Sequence, residues 1–244
     1  MFNNSQNKTY IYILLAIFAV MAISRGGFNI TDLLLTLPGV LVAITFHEFA
    51  HAYAADKLGD DTPRMEGRLN LNPLKHLDPF GFFMLVFAHI GWGKPVKINP
   101  RNFDRRFSMH VGEAIVAFAG PLMNFILAIV FTIIYCLVLK FAGAAFMLTT
   151  VGSVIVTMLT YTIMVNIGLG VFNLIPLPPL DGSKILKSFL PYNARNWIES
   201  HEIMFYIVFL VIWITDIASM IITPIINAIF SGLLNLIGGI FGLI

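Results

Sequence analysis

"AITFHEFAHAYAADKLGDD" occupies residues 43–61. Its first half is apolar enough to lie in lipid, yet it holds His47, Glu48 and His51. An ionisable side chain at mid-bilayer costs roughly 2.5–3.5 kcal/mol on insertion scales, and groups retained there usually carry function. On a helix, positions i and i+4 share a face. Both imidazoles can therefore reach one metal ion, with Glu48 beside them. The bland reading is that this polar triplet merely ends the helix near the headgroups.

The rest of the chain explains why the surroundings are apolar. Of 244 residues, 58% are hydrophobic and 11% charged, and mean hydropathy is +0.84. Soluble domains carry about 25% charged residues. The composition predicts an all-α polytopic membrane protein. Six hydrophobic elements are expected, at 10–24, 33–54, 112–139, 146–172, 203–222 and 225–244. The first reads as a retained helix rather than a signal peptide, because only Lys8 charges its start and no small-x-small site precedes Arg25. The run 79–93 is too short to cross and reads as re-entrant or interfacial. Val96, Lys97 and Ile98 alternate between Pro95 and Pro100, which predicts a short edge strand between the second and third elements. The expected division is an N-terminal helix and outer loop at 1–32, a core at 33–190 and C-terminal helices at 191–244.

Charge sets an orientation. Nine Lys/Arg lie between Lys57 and Arg106, and Lys184, Lys187 and Arg195 follow the fourth element. Six spans put both loops on one side, which the positive-inside rule makes cytosolic; the N-terminus joins them. A net charge of +2 gives no reason to expect nucleic acid. A single cysteine, Cys136, excludes an internal disulfide framework.

H-E-x-x-H is the pattern of a zinc peptidase. Zinc in a hydrolytic site takes three protein ligands and leaves one position for water. It lowers the pKa of that water to about 7, and a neighbouring glutamate can take the proton. The third ligand must come from elsewhere: His76, His89, His110, His201 or an acid. "NLIPLPPLDGSKIL" (residues 173–186) stands out, because its prolines break a helix at membrane depth and place Asp181 at the break. Irregular backbone is tolerated there only against protein or a water-filled cavity. Asp181 is then either a metal ligand or an N-cap for the next helix.

The two motifs together resemble the site-2 protease family of intramembrane zinc metalloproteases. The likeness rests on H-E-x-x-H and on a complete N-x-x-P-x-P-x-L-D-G formed by Asn173, Pro176, Pro178, Leu180, Asp181 and Gly182. "AGPLMN" (119–124), "GRLNLNPLKHLDPFG" (67–81) and "GWGKPV" (91–96) add to it, so that it spans roughly residues 33–190. The resemblance implies one zinc ion bound by His47, His51 and Asp181. It also implies Glu48 as general base and Asn173 close to the metal, where its amide would hold substrate or the developing oxyanion. An alternative for Asn173 is to satisfy the broken helix end. Asn124 and Pro121 are expected to shape helix packing. The match is to the compact, bacterial-type members, without a PDZ insert or a CBS domain.

The implied function is hydrolysis of peptide bonds in or near transmembrane segments of membrane proteins. The implied location is a bacterial inner membrane, with the active site toward the cytosol. Expected partners are such a substrate, the lipid bilayer and a regulatory protein. Two other classes compete. A metal-ion transporter would carry polar residues on both sides of the midplane. A non-catalytic scaffold of the same fold would lack the glutamate or a ligand.

Overall fold

A computed structural model describes residues 29–79, 81–82, 93–215 and 217–243. The expected element at 10–24 and nearly all of the expected re-entrant run lie outside them, as does Asp216. The described chain is helical, and four of its helices are long and apolar enough to cross a membrane. The protein is an integral membrane protein.

Helix α1, Ile30–Lys57, begins at Asn29, whose side chain accepts hydrogen bonds from the Thr31 and Asp32 amides. Its 28 residues span about 42 Å at 1.5 Å per residue. Two single turns follow, α2 (Thr62–Met65) and α3 (Pro73–His76), each with a proline in its first two residues, where no amide hydrogen needs a partner. Helix α4, Met109–Met147, starts at a Ser108 cap and bends at Gly143. Helix α5, Thr150–Asn173, starts at a Thr149 cap. The short α6 (Asp181–Phe189) and α7 (Tyr192–Ser200) precede α8 (Glu202–Ile214) and α9 (Ile217–Phe241).

The core is the mutual packing of α1, α4 and α5. Small or β-branched residues line it: Ala43, Ala50, Ala52, Ala128, Ile163 and Ile167 are buried. Small side chains let helix backbones approach closely, which is how membrane helices gain contact where lipid supplies no hydrophobic drive. Helix α9 packs on α5 and α4, placing Ile226, Ile229, Phe230 and Leu233 against Ala128, Ile163 and Ile167. At the other end, Phe103 and Ile98 pack against Ala55, Leu58 and Val116. This fastens the 98–103 segment to the ends of α1 and α4.

Four spans are found among the described residues, and the expected first element lies outside them. Two expectations are corrected. The element expected at 203–222 ends at Ile214, and its 13 residues cover about 20 Å, short of a core of about 30 Å. The next helix then runs through Pro224. Likewise no strand forms among the described residues. Leu77 and Gly93 make one antiparallel bridge, and the 94–99 backbone is tied to side chains instead of to a second strand.

Candidate metal centre

Three elements deliver the site. Helix α1 supplies His47 and His51 one turn apart. The chain leaves α5 at Asn173, passes the prolines and enters α6 at Asp181. Leu180 holds the N-cap position of α6, so Asp181 is not the cap; its side chain turns to the histidines. Asp181 Oδ2 lies 3.2 Å from His47 Nε2 and 3.0 Å from His51 Nε2. The two Nε2 atoms are 3.0 Å apart. All three residues are buried.

The remaining ring nitrogens decide what these atoms are. His51 Nδ1 lies 2.7 Å from the Val116 carbonyl, which can only accept, so Nδ1 carries the hydrogen. His47 Nδ1 lies 2.6 Å from Asn124 Oδ1. The Asn124 amide nitrogen donates to the Ala43 carbonyl and to Asn166 Oδ1, both at 3.1 Å, and the Asn166 nitrogen donates to the Thr162 carbonyl. That chain of donors fixes Asn124 Oδ1 as an acceptor and His47 Nδ1 as a donor. Two bare Nε2 lone pairs and a carboxylate oxygen therefore face one another in a buried space. Three acceptors at such distances call for a cation between them. A tetrahedral zinc ion about 2.0–2.1 Å from each donor would hold them about 3.3 Å apart, close to the spacing here. The donor set fits zinc.

Helix α4 reaches this space because residue 120 is glycine. A Cβ there would lie 2.5 Å from His51 Nε2 and 2.7 Å from His47 Cε1. Gly182 serves the other side: a Cβ would sit 2.3 Å from the Leu174 carbonyl oxygen, so only glycine lets α6 fold back on the end of α5.

Glu48 is on the same helix, partly buried. Its Oε2 accepts from the Val96 amide at 3.1 Å and lies 3.9 Å from an Arg68 nitrogen. Asn173, at the last residue of α5, donates its amide to the Leu169 carbonyl at 3.0 Å. The structure thus brings His47, His51 and Asp181 together and leaves Asn173 bonded within its own helix. Of the other histidines, His76 is buried against the Asn70 carbonyl, His110 pairs with Glu113, and His201 bonds the Trp197 carbonyl. None of these three joins the cluster, and His89 is outside the described residues. Arg68 is a partner that the sequence reading did not assign; Asn124, expected to shape helix packing, bonds across to two other helices and to a histidine of the site. Asn124 had a visible signal: it stands four residues after Gly120, on one helical face.

Around the loop, Asp60 is fully buried. Burial opposes its ionisation, but hydrogen bonds from Thr62, the Asn99 amide and Asn102 outweigh that and hold its carboxyl below the ordinary range.

Comparison with known proteins agrees with this geometry. Residues 35–215 match the model of Peptidase family M50. YwhC of Bacillus subtilis, named as a zinc metalloprotease, is 40% identical over 202 residues, covering 83% of this chain and 90% of its own. Rip2 of Mycolicibacterium smegmatis, named likewise, is 30% identical over 188 residues, covering 75% of this chain and 67% of its own. MJ0611 of Methanocaldococcus jannaschii, again named a zinc metalloprotease, is 32% identical over 99 residues, 40% of this chain and 44% of its own. No solved structure matches significantly. The extent of these matches, beside a buried cluster of His47, His51 and Asp181 that could hold a metal ion, leads to one conclusion: the chain belongs to Peptidase family M50, the site-2 protease family of membrane-embedded zinc metalloproteases.

Proposed function

We propose that the chain hydrolyses peptide bonds in or near transmembrane segments of membrane proteins. His47, His51 and Asp181 hold one zinc ion and Glu48 is the general base. The observation that carries this reading is the convergence of three buried acceptors beside a carboxylate on a membrane helix. Zinc bound there supplies Lewis acidity, lowering the pKa of a water and polarising a carbonyl. The chain's own residues do the rest. Asn124 and Val116 fix both imidazole tautomers. Glu48 takes a proton through its carboxylate and returns it to the leaving amine. Asn173 would turn its amide to the substrate carbonyl once substrate displaces its bond to Leu169.

The triplet lies about 10–15 Å inside the end of α1, counted from Lys57 at 1.5 Å per residue. In this reading water enters from the polar side. A cavity of about 240 Å³ there is lined by His110, Glu113, Lys184 and Lys187 among others; it adjoins the site through Lys184, which bonds Asp181 at 3.3 Å. A helical substrate has its carbonyls occupied and must unwind to be cut. The 94–99 segment, without a strand partner among the described residues, suits pairing with it by β-augmentation.

In this reading residues 33–190 are the catalytic core, 1–32 an N-terminal helix with its outer loop, and 191–244 accessory helices. The basic loops face the cytosol, the N-terminus lies on that side, and the membrane is the bacterial inner one. A regulatory partner protein supplies the trigger. Transport is not favoured: the buried polar chain from His47 ends at the Thr162 backbone, and the ionisable groups beyond it, Tyr161 and the exposed Asp32, bond each other at 3.3 Å.

The test is purified chain in proteoliposomes with a single-span substrate. Cleavage that a zinc chelator stops and added zinc restores supports the proposal. Zinc flux without cleavage would replace it with the transporter.

A further inference from the structure

Arg68 lies on the loop after α1 and is 3% exposed. A guanidinium persists in such a place only where fixed acceptors replace its water. Its two terminal nitrogens part company. Nη1 donates to the Lys75 carbonyl and Nη2 to the Lys94 carbonyl. The Lys94 amide donates in turn to the His76 carbonyl at 2.7 Å. The guanidinium and this bond together staple α3 to the start of the 94–99 segment. Two residues on, the Val96 amide donates to Glu48 Oε2, and the Arg68 Nη2 itself stands 3.9 Å from that oxygen. At the far end, the Asn99 amide is held by Asp60 Oδ2 at 2.6 Å.

We propose that Arg68 is a positioning residue of the hydrolytic reaction: its fork clamps the Lys94 carbonyl, which sets the Val96 amide, which orients Glu48. The same clamp holds the 94–99 backbone in the place where substrate would pair. A lysine cannot replace it, because one ammonium does not reach two diverging carbonyls as a planar fork does. The role rests on Glu48 being the base, as proposed above.

The experiment compares the full chain in detergent or proteoliposomes as wild type, Arg68→Lys, Arg68→Gln and Arg68→Ala. It reads bound zinc, hydrogen exchange of peptides covering 93–99 and 43–57, and kcat on the single-span substrate. Expected for Arg68→Gln is one zinc per chain, exchange at 93–99 at least about tenfold faster with 43–57 unchanged, and kcat lower by about 100-fold. Arg68→Lys recovers less than about a tenth of the wild-type kcat. Guanidinium ions added to Arg68→Ala raise its rate at least about tenfold, which a mere packing role would not do. Should Arg68→Gln lose zinc or fail to insert, Arg68→Lys decides: full rate overturns the proposal and a low rate with zinc bound supports it. Unchanged exchange at 93–99, or unchanged kcat in Arg68→Gln, also overturns it. An inactive wild type sinks the protease reading instead, and the exchange comparison tells the two failures apart because it needs no turnover.

Discussion

Asn124 Oδ1 accepts a 2.6 Å hydrogen bond from Nδ1 of His47, across 77 positions of sequence. That bond fixes which nitrogen of His47 faces the site. Partners of this kind commonly change metal affinity by 10–100-fold. Asn124→Leu should weaken zinc binding by about 10- to 100-fold, measured by competition with a chromophoric chelator. Asn166→Leu should have a smaller effect in the same direction, because it acts through Asn124.

Gly120 is where α4 meets the ligands. The Cβ of Gly120→Ala would overlap His51 Nε2 and both Cε1 atoms, none of which is the end of a flexible chain. The variant should insert in the membrane normally but hold less than about a tenth of the wild-type zinc. Stoichiometric zinc in Gly120→Ala would show that α4 stands further off.

Asp181 divides its oxygens. Oδ2 faces the histidines and Oδ1 lies 3.3 Å from Lys184 Nζ. Lys184 is half exposed, so solvent screens the pair. Lys184→Met should lower zinc affinity by less than about tenfold, whereas Asp181→Ala should abolish stoichiometric binding. A chelator titration of both variants separates these outcomes.

His76 gives a pH dependence outside the spans. Burial pushes its imidazole below the ordinary histidine value of 6.5, with the Arg68 charge adding to the effect and the bond to the Asn70 carbonyl opposing it. The folded form is neutral, so the unfolded segment binds more protons between the folded pKa and 6.5. Stability is therefore full above 6.5 and is lost as pH falls below it. Exchange protection of residues 70–77 should drop as pH falls below about 6.5 in wild type and vary less in His76→Gln.

The main helices could be read from hydropathy to within a few residues at most ends, because length and apolarity alone define a span: 33–54 became Ile30–Lys57 and 146–172 became Thr150–Asn173. The break at Thr215 was missed. The boundary expected between 222 and 225 falls inside a helix that runs through Pro224; a membrane helix tolerates proline where neighbours re-satisfy its backbone. The clustering of His47, His51 and Asp181 was legible because i, i+4 spacing and a proline-broken helix are local signals. Asn124 was expected only to shape helix packing, and Arg68 was not singled out. Their partners lie 77 and 20 residues away, and nothing local sets Arg68 apart from the other cations of its loop.

The central claim is that Glu48 acts as base beside a zinc ion held by His47, His51 and Asp181. The most direct measurement is bound zinc and cleavage rate, on one single-span substrate, for wild type and Glu48→Gln side by side. The account predicts equal zinc and a rate lower by at least about 100- to 10,000-fold in the variant. Equal zinc with an undiminished rate would contradict it.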